Sequence, residues 1–357
     1  MVLPDLHVHT VYSDGLDSPQ ELLIDALDKK IPFVGITDHY DEIVEYMDFS
    51  KYLQVLNQLK SGFPQLLIGI ESDVKDFEKL ISNKSDLNLL DYVIVHDLES
   101  LDEINFIGKK SKDCKVPIVL GHLPVKALAE PKVLAEVLMR NNLIPELNAL
   151  HFHYLNEKDK EIEFEFFLEF IKHGREISFG TDTMETTHLG TYSADIIEFA
   201  KKAKIFCPKQ KKTDLMSDIF PEAVDKPYLE AKNKLKQRNL TLFKEFNNLQ
   251  TISDKLITAS SLPGEKRAAI QIMESVYKVN TKYRREILDN LTKSSNDKVK
   301  HVRTWTINAL ASIYPIDSIY QKQIELILCS KLKDSRTAVV RVAQKNLAQL
   351  GLNYLSK

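Results

Sequence analysis

His7 and His9 stand two residues apart at the end of an apolar run, and Asp14, Asp38, His39, Glu71, His96, His122 and Asp182 follow at comparable places along the chain. A neutral imidazole is a nitrogen ligand for zinc, iron or manganese, and a carboxylate is an oxygen ligand. Residues two apart in a strand share a face, so His7-x-His9 turns both rings to one side. Glu71 can bridge two ions if its oxygens separate, and Asp182 would approach His7 and His9 from the last strand. Two ions about 3.5–4 Å apart clamp the attacking and leaving oxygens of a phosphoester and lower the pKa of bound water. Asp38 or His39 could assist proton transfer to the leaving oxygen. These residues imply metal-assisted hydrolysis.

Duller readings hold elsewhere. His151 and His153 form a second His-x-His that could supplement the site, whereas His173 and His301 read as surface residues. Thr37 and Thr181 read as supports for the backbone. The stretch from Glu161 to Phe170 reads as an amphipathic helix rather than a ligand cluster.

The elements that must position the ligands are strands expected at Val2–Val8, Phe33–Thr37, Leu66–Ile70, Tyr92–Val95, Pro117–Gly121, Ile144–Leu147 and Ile177–Thr181. Each is a short β-rich run, and the intervals carry helix-period apolar residues. Ser18-Pro-Gln-Glu21 is a capping box with Pro at the first helical position, opening a helix that buries Leu22, Leu23, Ala26 and Leu27. Ser50 is expected to cap a second helix, and a third lies near Glu161–Ile171. Strand–helix alternation implies parallel strands with right-handed crossovers. Seven units approach the eight of a (β/α) barrel. His7 and His9, Asp38-His39, Glu71, His96, His122, Glu146 with Asn148, and Asp182 close the seven runs in turn. The C-terminal strand ends of such a barrel share one face, where active sites are built.

The chain has 357 residues, 43% of them hydrophobic and 28% charged, with 11 Gly and 13 Pro. That excludes a disordered chain, a collagen and a disulfide-stapled miniprotein. No apolar run reaches the ~20 residues of a membrane span, and the N-terminus lacks the pattern of a secretion signal. Cys114, Cys207 and Cys329 lie far apart and form neither a metal-binding spacing nor a disulfide framework. A cytoplasmic protein is expected, with no membrane partner. The net charge of −3 divides unevenly: residues 1–205 carry −15 and residues 206–357 carry +12. Residues 206–227 read as a linker, and from 228 the chain reads as helical throughout. A repeat of 37 aligns Ala268, Ile270, Met273 and Val276 with Trp305, Ile307, Leu310 and Ile313. It reaches Val342, Gln344, Leu347 and Leu350 less well. The period is that of HEAT-type helical pairs; an irregular bundle is the alternative.

Asp5-Leu-His-Val-His-Thr-Val-Tyr-Ser-Asp-Gly15 followed by Ile36-Thr-Asp-His39 resembles the opening of the PHP (polymerase and histidinol phosphatase) family. Gly69-Ile-Glu71, Asp91 through His96, Gly121-His122-Leu-Pro, Glu146-Leu-Asn148 and Thr181-Asp182 with Leu189-Gly190 agree in order, over about residues 1–195. The resemblance implies an α/β fold, a distorted seven-stranded TIM-like barrel, here followed by an all-α HEAT-like domain. The domains are then 1–205, the PHP-type (β/α)7 metallohydrolase barrel; 206–227, the linker; and 228–357, the HEAT-like repeats. It further implies two or three divalent ions, Zn, Mn or Fe. His7, His9, Glu71 and Asp182 would hold the first, Glu71, His96 and His122 the second, and Asp14 with His39 the third. The family usually ends with Asp-x-His, and this chain has Asp182-Thr-Met184, which weakens the third site unless His188, His151 or His153 fills in. Residues 1–205 contain only Arg140 and Arg175, neither at a strand C-terminal end, so a phosphate would be gripped by other groups.

The activity implied is a metal-dependent phosphoesterase, a hydrolase acting on a small phosphorylated substrate through metal-activated water. One alternative is a nucleotide or nucleic-acid phosphodiesterase docked by the basic half through Lys278, Lys282, Arg284, Arg285, Lys298, Lys300 and Arg303. Another is a catalytically weak barrel acting as a scaffold for a protein partner. An amidohydrolase, which also begins with His-x-His, is disfavoured because a strand-end lysine is missing.

Overall fold

The protein is described here from a computed structural model covering residues 2–208, 261–279 and 281–352. Nine strands, β1 (Asp5–Val8), β2 (Val34–Ile36), β3 (Leu66–Ile68), β4 (Glu71–Asp73), β5 (Val93–His96), β6 (Ile118–Leu120), β7 (Ile144–Asn148), β8 (Glu176–Gly180) and β9 (Lys204–Ile205), occur among the described residues. They form two parallel sheets, β1-β2-β3 and β4 through β9 in chain order. Strands of parallel sheets are covered on both faces and so read as near-continuous apolar runs; Leu66-Leu-Ile68 and Val93-Ile-Val95 are wholly buried.

Hydrogen bonds link the two sheets at both flanks. Asp182 N–H donates to the His7 carbonyl (2.8 Å) and His9 N–H to the Thr183 carbonyl (2.9 Å), while Glu71 N–H reaches the Asp38 carbonyl (3.1 Å). Inside, Leu6, Leu67, Tyr92, Ile94, Val119 and Phe206 form a core. The Tyr92 hydroxyl donates to the Leu6 carbonyl. Its ring packs so closely on Gly69 that a Cβ there would come within 2.8 Å of it and within 2.6 Å of Thr37.

All seven expected runs contain a strand, but two further strands appear. The run ending at Ile70 stops at Ile68, and Glu71 opens the separate strand β4 rather than closing β3. The two-residue β9 is too short to leave a periodic signal. Its neighbour Phe206, expected to begin a linker, is 3% exposed and packs edge-on against Tyr92 at 6.1 Å. Residues 209–227 of that linker, and the expected start of the helical half at 228, lie outside the described residues. The Ser18–Glu21 box caps the helix Pro19–Asp28 as expected. Ser50 does not cap its helix: Asp48 accepts from Lys51 N–H to cap Phe49–Lys60, and Ser50 Oγ instead donates to Asp86. The helix expected near Glu161–Ile171 spans Glu157–Lys172.

The chain divides into two compact units, and the second contains the described residues 11–16, 261–279 and 281–352. Helices Pro263–Val279, Lys300–Ile313 and Thr337–Gln349 begin 37 residues apart, as do Arg284–Ser294 and Gln321–Ser330. Met273, Ile307, Leu310 and Leu347 lie in one core, with Val276, Trp305, Val342 and Leu350 packed against it. Two buried ion pairs repeat with the same period, Lys266–Asp297 (2.5 Å) and Arg303–Asp334 (3.0 Å). Of the seven cations named above as a docking surface, Lys278, Arg284 and Arg303 are engaged in ion pairs and Lys300 is buried. No described helix is long and apolar enough to cross a membrane.

Candidate metal centre

Parallel strands deliver the ligand-type residues to one end of the first unit. His7 lies within β1 and His9 follows it; Asp38 and His39 follow β2; Glu71 opens β4; His96 ends β5; His122 and Asp182 each lie two residues beyond β6 and β8. His122 and Asp182 adopt left-handed backbone, φ 50° and 53°. Such a conformation is uncommon in residues other than Gly and clusters at functional sites, where the surroundings enforce it.

The Glu71 carboxylate is the hub. Its Oε1 lies 3.2 Å from His7 Nε2 and 3.4 Å from both His96 Nδ1 and His122 Nε2. Its Oε2 lies 3.1 Å from His39 Nδ1 and 3.4 Å from His9 Nε2. Asp182 adds Oδ1 at 3.1 Å from His9 Nε2 and Oδ2 at 3.4 Å from His122 Nε2. Donors held about 2.1 Å from one ion sit roughly 3.0–3.4 Å from each other, the edge of an octahedron or tetrahedron of that radius. The separations match that edge. His7, His9 and Glu71 form one group able to hold an ion, and His39, Glu71 and His96 another. Glu71 is 1% exposed, and the groups around its oxygens are imidazole nitrogens at 3.1–3.4 Å, longer than a good charge-assisted hydrogen bond. A buried carboxylate held by contacts this long is costly. Cations between it and the surrounding imidazoles would remove that cost, so the residues present fit divalent ions bound by nitrogen and oxygen.

Charge in this cluster is shared between acid and base. Burial opposes charge on His7, but Glu146, Glu71 and Asp182 outweigh it and hold the imidazole well above its usual range. The same contest, with Asp182 and Glu71 as partners, pushes His122 up to about 9, and Glu71 with Asp73 raises His96. Burial would raise Glu71, yet His96, His7 and His39 carry it well below the carboxylate range; His122 and His7 do the same for Asp182.

A second layer orients these groups. A carboxylate only accepts, so His7 Nδ1–H donates to Glu146 Oε1 (2.8 Å), and Asn148 holds the other Glu146 oxygen (3.2 Å). That leaves His7 Nε2 facing the cluster. Asp73 Oδ1 lies 2.9 Å from His96 Nε2, close enough to favour a proton on that nitrogen. Asp5, buried and pushed up to about 6 by desolvation, accepts from Thr181 N–H, Thr181 Oγ1 and Gly190 N–H, fixing the loop that carries Asp182. Neither Asp5 nor Asp73 was among the sequence-derived site residues, although each stands two residues from a ligand and shares its strand face.

Several expected residues have other employment. Asp38, expected to move a proton, accepts from Thr10 N–H (2.6 Å), Thr10 Oγ1 (2.7 Å) and Tyr52 OH (3.0 Å), so its oxygens hold the backbone after β1. Asp14 is not one of these: it is buried in the segment Val11–Leu16 of the second unit, and it is its backbone carbonyl, not its carboxylate, that accepts from Arg267. His151 lies 3.4 Å from Glu163, His188 lies 3.4 Å from Glu185, and His153 and His173 are exposed. His301 is half-buried, its ring 5.9 Å from Trp305. Thr37 supports backbone as expected: its hydroxyl accepts from Val8 N–H (3.1 Å).

No curated protein matches the chain. The PHP domain model matches residues 5–242, about two thirds of the sequence and further than the motifs alone reach. That family is typically one of metal-dependent phosphoesterases, and its domains are TIM-like barrels. With its ligand-type residues gathered around Glu71 in the order of the family's motifs, the chain belongs to the PHP domain family.

Proposed function

We propose that this protein is a divalent-metal-dependent phosphoesterase, hydrolysing a phosphate ester with water in a distorted barrel of the family's TIM-like kind. The observation that carries the reading is the buried Glu71 carboxylate ringed by five imidazoles at 3.1–3.4 Å. His7, His9, Glu71 and Asp182 would hold one ion, and Glu71 with His96 and His122 a second. The 3.1 Å approach of His39 to Glu71 supports adding His39 to the second set. Asp14 and His39 as a third site, with Met184 where the family carries histidine, remains the weaker part of the scheme. Zinc, manganese and iron all suit this donor set. When bound, such ions lower the pKa of coordinated water and stabilise charge on the phosphoryl oxygens.

The chain's own residues have assignable tasks. Glu146 and Asp73 fix the tautomers of His7 and His96, so that His7 Nε2 and His96 Nδ1 carry lone pairs toward the cluster. Asp38 acts by position, through Thr10 and Tyr52, and the proton-transfer role stays with His39 alone. The 37-residue period and its repeated ion pair support reading the second unit as HEAT-like. Pairing of Lys278, Arg284 and Arg303 and burial of Lys300 take four of the seven named cations from the nucleic-acid alternative, and a protein partner suits such repeats better.

Metal analysis of the purified protein and of His9→Ala, with hydrolysis measured over a broad phosphoester panel, tests the reading. About two ions per chain, falling in the variant together with hydrolysis, is the expected result. A metal-replete protein that hydrolyses no phosphoester would overturn it.

A further inference from the structure

At the other end of the first unit lies a cavity of about 560 Å³. It opens where β6, β7, β8 and β9 begin, whereas the candidate metal ligands follow strand ends. Its lining includes Lys112, Lys115, Arg140, Arg175 and Lys204. Among the described residues one acid, Glu176, also lines it and is paired with Lys204 at 3.0 Å. Residues 1–205 carry a net −15, so five cations converging on one cavity reverse the local field. Both arginines of that stretch are among them.

The described hydrogen bonds that anchor the two arginines do not offset their charge. Arg175 Nη2 donates to the Met139 carbonyl (3.3 Å) and to Asn142 Oδ1 (3.1 Å), and Arg140 Nη2 donates to Asn105 Oδ1 (3.3 Å). All three acceptors are neutral. Among the described residues, no carboxylate pairs with Lys112, Lys115, Arg140 or Arg175. Cations at the C-terminal ends of helices can complement the helix dipole, and two of the five do so: Arg140 ends the helix Pro131–Arg140 and Arg175 donates to its Met139 carbonyl, whereas Lys112, Lys115 and Lys204 belong to no α-helix.

The geometry points to a binding site for a small anion carrying two or more phosphate groups, separate from the metal centre and independent of the function proposed above. Planar guanidinium groups beside ammonium groups suit phosphate oxygens, and the volume falls within the usual range for small-molecule pockets. Phe170 and Phe206 in the wall are 1% and 3% exposed, so they present no ring face for a base to stack on. Recognition therefore rests on the phosphates, whether of a free polyphosphate or of a nucleotide tail.

Isothermal titration of the full chain with inorganic triphosphate at low ionic strength, without added metal, tests this. The double variant Arg175→Gln/Lys115→Gln should weaken binding at least tenfold. His9→Ala, which alters the metal centre, should leave it within twofold of the wild type. Lys112→Gln/Lys115→Gln removes two exposed side chains and should itself weaken binding several-fold with the far-ultraviolet circular dichroism unchanged. A nucleoside triphosphate that binds as tightly as triphosphate supports recognition through the phosphate chain. No binding of triphosphate, equal binding by both double variants, or loss on His9→Ala would each overturn the site.

Discussion

Replacing Glu146 by glutamine changes neither the volume of a buried side chain nor the strand that carries it, but it reverses one hydrogen bond. The wild-type carboxylate accepts twice, from His7 Nδ1–H at 2.8 Å and from Asn148 Nδ2–H at 3.2 Å. A carboxamide offers one acceptor and one donor group. If its oxygen faces His7, its NH₂ meets the Asn148 NH₂, two donors in a buried space. If its oxygen faces Asn148, its NH₂ donates to His7 Nδ1. The His7 proton then moves to Nε2, the atom 3.2 Å from Glu71 and 3.1 Å from His9 Nε2. The first outcome keeps His7 oriented at the cost of two facing donors; the second takes the Nε2 lone pair away from the cluster. Loss of such an orienting partner costs about 10–100-fold in metal affinity, equal to roughly 1.4–2.7 kcal/mol. Competition with a metal chelator at pH 7 measures the dissociation constant, and circular dichroism checks that the fold persists. A folded Glu146→Gln protein that binds metal within twofold of the wild type would refute the orienting role.

Metal uptake should strengthen with pH. His122 is pushed up to about 9 and His7 and His96 are also raised, so the metal-free cluster holds protons at neutral pH that an ion must displace. Chelator competition at pH 6, 7 and 8 should show affinity rising about tenfold per unit for each proton released, and a flat profile would count against the cluster. By the same linkage, the stabilisation His122 gains in the metal-free protein is complete below about 6.5 and is lost as pH rises through about 9. Gly180→Ala should lower stability by about 1–3 kcal/mol in a thermal melt, and weaken metal binding, because a Cβ there overlaps Glu146 Oε1 and the His7 Cβ. An unchanged melt would show that the strands can separate locally. Arg303→Leu leaves Asp334 buried without its guanidinium and should cost about 3–5 kcal/mol in urea unfolding of the second unit. A loss below about 1 kcal/mol would place the pair with exposed ones.

Much of this arrangement is legible in sequence because it is local. His7-x-His9 follows from strand period, the helix after Ser18 from its capping box, and the repeat from apolar residues recurring at 37. What escapes is set by partners far away in the chain. Asp38 looks like a reactive carboxylate until Thr10 and Tyr52 are seen to occupy it. Phe206 sits beside a charged, proline-bearing stretch, and only its packing on Tyr92 makes it core. Glu71 ends an apparently continuous apolar run, and the break before it falls at Gly69 and Ile70, where Tyr92 and Thr37 leave no room for a Cβ on Gly69. Ser50 is a good cap by type, but Asp48 stands nearer the helix start and Asp86 competes for the Ser50 hydroxyl.

The recurring clamp in the second unit bears on how that unit comes apart. Each link ties a residue early in one helix to an aspartate about thirty residues later, so Lys266 answers to Asp297 and Arg303 to Asp334. In a stack where every layer leans only on its neighbours, cohesion propagates link by link. Fraying that begins at the helix Thr337–Gln349 frees Asp334 first and then meets Arg303, whose Nη1 also grips the carbonyls of Asp297 and Lys298. That arginine is the ratchet tooth at which peeling from the C-terminal side should pause.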